Sequence, residues 1–326
     1  MSSLIDRLGR KIDYVRLSVT DRCDLRCFYC LPRGFRDFEE PEHWLTFAEI
    51  ERVIAAFARL GTRRVRITGG EPLVRRNLPV LAARLSALPG VEDLSLSTNA
   101  TRLAKHAGDL HAAGIRRINV SLDSLDAARF RNITGGRLEK VIDGLMAARA
   151  AGFAPIKINM VVMKGINEDE VESMVGFCIE HGFTLRLIET MPMGDTGRSA
   201  TDHYVDLQTV KARLARRFEL LPGMMPGGGP ARYVQVAGTD LRIGFITPIS
   251  QHFCDTCNRV RLSVDGTLYM CLGQEHRFEL RPLLRAGIDD TELEAAILQA
   301  IDLKPARHEF KEKPERVLRF MSMTGG

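Results

Sequence analysis

A chain of 326 residues with 45% hydrophobic and 27% charged residues has the composition of a soluble globular protein, long enough for one large domain or a domain with an extension. Its net charge of +5 permits an anionic ligand, but no basic block with interleaved aromatics marks a nucleic-acid surface, and no apolar run reaches membrane-spanning length. The polar start Met1-Ser-Ser-Leu-Ile-Asp-Arg has no signal-peptide core, and six of the seven cysteines fall in two groups of three, so the expectation is a cytoplasmic protein that uses thiols for metal and not for a disulfide framework.

Strand-like and helix-like segments alternate along the first 190 residues. An alternating run, Tyr14–Val19, predicts the first strand and leads into Cys23-Asp-Leu-Arg-Cys27-Phe-Tyr-Cys30. Thr46-Phe-Ala-Glu49 reads as a capping box that opens a helix to Leu60, stopped by Gly61. Further strands are expected at Arg64–Thr68, Leu94–Thr98, Arg117–Leu122, Ile156–Val162 and Leu185–Ile188, each followed by a helical pattern; Asn167-Glu-Asp-Glu170 is expected to cap the helix that ends at His181. Six such units in succession predict an α/β fold, an incomplete (β/α)6 TIM-type barrel with a parallel sheet and right-handed crossovers. The unusual polar motifs all follow strand ends: the cysteine loop, Gly69-Gly70-Glu71-Pro72, Thr98-Asn99, Asp123-Ser124, Met163 and Glu189-Thr-Met191. Chemistry gathers at the carboxyl ends of parallel strands, so these define one expected active face.

Met193–Tyr204 reads as a polar, Gly-rich loop over that face, and Pro222-Gly-Met-Met-Pro-Gly-Gly-Gly-Pro230 as a boundary. The boundary separates a barrel domain, 5–221, from a C-terminal α+β extension, 222–326. That extension is expected to contain an antiparallel sheet from Arg232–Val236, Leu241–Ile246 and Arg259–Val264, the last hairpinned through Asp265-Gly266 to Leu268–Cys271. A helix with an acidic start near Asp289 follows, then a basic tail ending in Gly325-Gly326.

Three thiolates within eight residues can hold a cubic iron–sulfur cluster and leave one iron open, since such a cube normally takes four cysteines. A structural zinc knuckle is the alternative, but the next histidine, His43, stands beyond a Pro and Gly loop. Cys254-x-x-Cys257 with Cys271 is again three ligands; zinc completed by His252 or His276 is the competing assignment there. Cys178 has the setting of a small core residue. Charges recur on strands expected to be buried: Arg16, Arg64, Arg66, Lys157, Arg259 and Arg261. Arg259 and Arg261 share a strand face, as do Arg64 and Arg66. A bound polyphosphate would partner them, through the bidentate contacts that suit Arg. No Gly-x-x-x-x-Gly-Lys loop is present.

Cys-x-x-x-Cys-x-x-Cys with Tyr29 before the last cysteine resembles the signature of radical S-adenosylmethionine (SAM) enzymes. The flank Arg16-Leu-Ser-Val-Thr-Asp-Arg-Cys23 and the later Phe253-Cys-Asp-Thr-Cys-Asn-Arg-Val-Arg-Leu262 narrow the resemblance to the MoaA family, the GTP 3′,8-cyclases that begin molybdenum cofactor synthesis. The resemblance implies two 4Fe–4S clusters, one on Cys23, Cys27 and Cys30 that binds SAM, the other on Cys254, Cys257 and Cys271 that meets the substrate. It implies SAM contacts at Tyr29, Gly70, Ser121 and Met191, and GTP contacts at Arg16, Arg66, Ser97, Lys157, Arg259, Val260 and Arg261. Gly325-Gly326 resembles the glycine pair that this family threads towards its active site. Ser97-Thr-Asn-Ala100 departs from the family's usual Thr-Thr-Asn-Gly, which keeps a hydroxyl and loses a flexible residue. The implied partners are an electron donor such as a flavodoxin or ferredoxin and the next pathway enzyme, cyclic pyranopterin monophosphate synthase; a homodimer is compatible, whereas membrane and nucleic acid are not expected. The competing functions are a radical SAM enzyme with an auxiliary cluster that modifies a peptide, and a structural zinc-binding nucleic-acid module.

Overall fold

The computed structural model describes residues 4–325, so Gly326 of the terminal glycine pair lies outside the described residues. Twelve strands form one mixed sheet. They are β1 (Tyr14–Ser18), β2 (Arg64–Thr68), β3 (Asp93–Thr98), β4 (Arg117–Ser121), β5 (Ile156–Val161), β6 (Thr184–Ile188), β7 (Leu220–Gly223), β8 (Arg232–Val236), β9 (Arg242–Ile246), β10 (Arg259–Leu262), β11 (Thr267–Tyr269) and β12 (Arg277–Glu279). Their order is β12-β11-β10-β1-β2-β3-β4-β5-β6-β9-β8-β7. The six strands expected to be parallel are parallel and in sequence order, joined by helices.

The last third departs from expectation. β9 pairs parallel with β6 and β10 pairs parallel with β1, so eight strands run in one direction. Antiparallel pairing is confined to the margins, β7–β8–β9 on one side and β10–β11–β12 on the other. The physical reason is burial on both faces: all four residues of β10 and the central three of β9 are buried, which suits a strand covered on both sides better than a half-solvated hairpin. Pro222 and Gly223 sit in β7, an edge strand, where a missing N–H is tolerated. The sheet therefore continues across residue 222.

The helix Phe47–Arg59 starts with the expected reciprocal cap, Thr46 on the Glu49 N–H and Glu49 on the Thr46 N–H, and buries Ile50, Val53, Ile54 and Phe57. A short helix, Gly194–Ala200, stands where a loop was expected. Its glycines permit close packing, since a Cβ on Gly197 would lie 2.6 Å from the Met191 carbonyl and one on Gly194 would lie 2.8 Å from the Phe320 ring. Asn167 stands at the head of a 3-10 turn, Glu168–Glu170, that leads into the helix Val171–His181, but its side chain makes no cap hydrogen bond. Its fully buried amide accepts from the Met163 N–H (2.8 Å) and donates to the Asp123 (2.7 Å) and Val161 (2.9 Å) carbonyls, bracketing the ends of β4 and β5. The tail is anchored, with Val317, Arg319, Ser322 and Thr324 all buried.

Replacing Asn167 by Ala leaves three buried backbone groups without that partner. Asn167→Ala is expected to lower unfolding stability by about 2–4 kcal/mol. Urea denaturation checks this; an unchanged midpoint would show that the bracket is dispensable.

Candidate functional site

The cysteine loop after β1 is held by the backbone of two neighbouring motifs. Gly70 N–H donates to the Thr20 carbonyl (2.8 Å) and Glu71 N–H to the Arg22 carbonyl (2.9 Å). A Cβ on Gly69 would lie 2.4 Å from the Thr20 oxygen, and one on Gly70 would lie 2.3 Å from the Arg22 oxygen. The glycine pair thus lets β2 close on the segment that leads into Cys23. Glu71, fully buried, accepts from Thr98 Oγ1 (2.7 Å) and the Asn99 N–H (2.6 Å), tying the end of β3 to the end of β2; burial pushes its carboxyl up to about 7. Asn99 in turn directs its amide at Cys23 Sγ (3.7 Å) and at Asp24 (2.8 Å).

Cys23, Cys27 and Cys30 face one cavity with Tyr29, Gly70, Ser121 and Met191, so the first trio and all four expected SAM contacts converge. Tyr29 donates to Asp123 Oδ2 (2.6 Å), and burial raises the Asp123 carboxyl to about 6. Burial pushes all three thiols up, Cys30 to about 12, and the Asp123 charge adds to this at Cys27 and Cys30. Thiols in such a setting become thiolates when a bound cation displaces their protons, which suits a metal–sulfur cluster. Among the described residues, no fourth cysteine and no histidine lines this cavity. Met321 and Ser322 of the C-terminal segment line it too, and Gly325 is seated so tightly that its Cβ would lie 2.4 Å from Thr68.

A second cavity adjoins the first through Ser97, Asn159, Ile188 and Met191, which line both. Cys254, Cys257 and Cys271 stand on its wall. Burial pushes the Cys257 thiol up, but Lys304 and Arg259 outweigh it and bring it down to about 7. His308 also lines this wall, packed on Phe310 with ring centroids 4.7 Å apart; it was not singled out from sequence, and His252 and His276 do not line the cavity.

Five arginines line the second cavity, Arg16, Arg66, Arg186, Arg259 and Arg261, with no carboxylate among its described lining residues. Each is at least nine-tenths buried, and Nε of Arg16, Arg186, Arg259 and Arg261 has no partner. Register explains the convergence: Arg261, Arg16 and Arg66 stand opposite one another across β10, β1 and β2. Arg186 faces Asn159 across β6 and β5. The strand-charge pattern could have identified Arg186, because Leu185-Arg-Leu187 alternates as Val15-Arg-Leu17 does. Burial lowers Arg16 and Arg66, and it brings Arg186 and Arg261 down to about 10.

Three expected positions, Arg64, Val260 and Lys157, behave differently, and Lys157 lines neither cavity. Arg64 is paired with Asp13 and does not line either cavity. The Val260 side chain is fully buried in the apolar core, on the opposite face from Arg259 and Arg261. Lys157 lies two residues before Asn159 on the same strand face, 5% exposed, with its ammonium 5.7 Å from the Tyr233 ring centroid. Burial, then Arg186, Arg117 and Arg66, bring it down to about 7.

Comparison with known proteins identifies the relatives of the chain. The radical SAM superfamily model matches residues 17–178, and the Molybdenum Cofactor Synthesis C model matches residues 183–310. GTP 3′,8-cyclase 1 of Pseudomonas aeruginosa is 50% identical over 330 residues, with all of both chains covered. The GTP 3′,8-cyclase of Bradyrhizobium diazoefficiens is 48% identical over 333 residues, with 100% of this chain and 96% of the relative covered. Among solved structures, Streptococcus suis SuiB bound to S-adenosylmethionine shares the fold at a TM-score of 0.61 and 17% identity, over 98% of this chain and 77% of that one.

The Lys157 ammonium is present below about pH 7 and is lost as pH rises through that value, so its attraction for an anion is lost in the same direction. Binding of inorganic triphosphate is expected to weaken above pH 7 by up to about tenfold per pH unit. Calorimetry on wild type and Lys157→Met checks this, since the variant should lack that part of the dependence; identical profiles would refute it.

Proposed function

The chain belongs to the GTP 3′,8-cyclase family of the radical SAM superfamily, and from that membership we propose that it converts GTP to (8S)-3′,8-cyclo-7,8-dihydroguanosine 5′-triphosphate, the first step of molybdenum cofactor biosynthesis. The observation that carries the substrate assignment is the cavity with five buried arginines and no carboxylate among its described lining residues. Uncompensated buried charge costs several kcal/mol per group, and a triphosphate offsets that cost in a way a peptide backbone does not.

Cys23, Cys27 and Cys30 hold one 4Fe–4S cluster, and Tyr29, Gly70, Ser121 and Met191 contact SAM. Cys254, Cys257 and Cys271 hold the second. A cluster held by Cys23, Cys27 and Cys30 would supply the one-electron reductive cleavage of SAM, chemistry that belongs to the cofactor. The task of the chain is position. Arg16, Arg66, Arg259 and Arg261 orient the triphosphate end with Lys157, while Ser97 stands on both cavities and spaces the ribose between them. The backbone of Val260 is the part of that residue available to substrate, its side chain being in the core. The two cavities share four lining residues, which supports hydrogen transfer from the ribose without diffusion through solvent. The electron comes from an external donor of the flavodoxin or ferredoxin kind.

We also infer that the parallel strands curl as an incomplete (β/α)6 barrel, with 5–221 as the SAM half and 222–326 as the half that carries the second trio. Supporting this, Arg186 and Ile246 from one end of the parallel row and Arg259 and Arg261 from the other line the same cavity. No helix among the described residues is long and apolar enough to cross a membrane.

Anaerobically reconstituted protein is expected to contain about eight irons and to yield 5′-deoxyadenosine and the cyclised nucleotide from SAM and GTP. Colourless, zinc-containing protein would remove this reading. Cys254→Ala should abolish GTP turnover and leave SAM cleavage measurable; equal loss of both would argue against separate roles for the trios. Arg261→Met should weaken GTP binding by about 10- to 100-fold, the worth of a charge-assisted hydrogen bond, and a KM unchanged from wild type would refute that contact.

A further inference from the structure

Each cysteine of the second trio is met by one buried cation from a distant part of the chain. Arg10 donates to the Cys254 carbonyl (3.0 Å), and Arg319 donates to the Cys271 carbonyl (3.1 Å). Lys304 differs, because it reaches a sulfur: its Nζ lies 3.5 Å from Cys257 Sγ. It also donates to the Arg259 (2.9 Å) and Met270 (2.7 Å) carbonyls. Three acceptors match the three N–H bonds of an ammonium, and none of these contacts asks nitrogen to accept, so the geometry is that of a charged lysine. Lys304 is 6% exposed. Water does not screen its charge from the sulfur as it would at the surface.

Resting on the two-cluster reading above, we propose that Lys304 is a positioning residue for the second trio, whose ammonium, hydrogen-bonded to Cys257 Sγ, stabilises the reduced form of the cluster held there and raises its reduction potential. Two of its bonds fix the end of β11 and the start of β10 around the ligand. The third places positive charge beside a sulfur that gains electron density when one electron enters the cluster. Hydrogen bonds and charge at cluster sulfurs are among the factors that set such potentials. Arg10 and Arg319 reach only the carbonyls of their cysteines, and each is also paired with a carboxylate, Asp6 and Glu275, which assigns the electronic role to Lys304 and a bracing role to the other two. A purely structural lysine would move stability and not potential.

The test is an EPR-monitored reductive titration of the SAM-bound holoenzyme with dithionite as the one-electron donor, on wild type, Lys304→Met and Lys304→Arg. The second cluster is followed by the signal that SAM does not perturb, and total iron is counted in each protein. Lys304→Met is expected to keep its iron and to titrate at a more negative potential at the second cluster alone, with Lys304→Arg close to wild type. Loss of about half the iron in Lys304→Met but not in Lys304→Arg also supports the role, as a charge requirement at the ligand. Unchanged potentials, a shift of both clusters together, or equal iron loss in both variants overturns it. Wild-type protein with about four irons would instead overturn the two-cluster reading, and this proposal with it.

Discussion

Everything at the active face answers to one electrostatic constraint: five guanidinium groups are buried around a single space with no carboxylate among its described lining residues. Several arginines elsewhere have acids, as Arg64 has Asp13, Arg117 has Asp93 and Arg10 has Asp6. A fold can retain such a cluster only when rigid strands hold the groups in place and a polyanion completes them. The parallel strands serve that end, because their register sets Arg261, Arg16 and Arg66 side by side.

The sulfur loops inherit their positions from the same sheet. The first is pressed against β2 by two glycines whose missing Cβ atoms leave room for the Thr20–Arg22 backbone, and Glu71 then links β2 to β3 beneath it. The second loop stands across the shared wall of Ser97, Asn159, Ile188 and Met191. The C-terminal segment lies against the first cavity and not over open solvent. Each feature shortens the distance between two ligands that have to react with each other, and each limits the water between them.

Much of this was legible in the sequence. The six parallel strands, the capping box at Thr46, the cysteine trios and the strand-end placement of the polar motifs all follow from local periodicity and short spacing, which tertiary context seldom overrides when a segment is strongly patterned. Arg16, Arg66, Arg259 and Arg261 were visible because an arginine in an apolar strand is conspicuous. Arg186 obeyed the same rule and could have been included. Lys304, Arg319 and His308 could not, since they lie in irregular segments with no periodicity to interrupt.

By itself, then, the chain determined which residue types repeat at strand and helix spacing, and hence the parallel α/β core and the two groups of thiols. Only the tertiary structure decided that β9 and β10 join that core in parallel, that the Asn167 side chain brackets two strand ends and makes no cap bond, and that a lysine 47 residues from Cys257 touches its sulfur. The division has a physical cause. Backbone geometry and amphipathic period act over a few residues and are written locally, whereas strand direction at a sheet margin and the pairing of buried polar groups depend on which distant segments exclude water together.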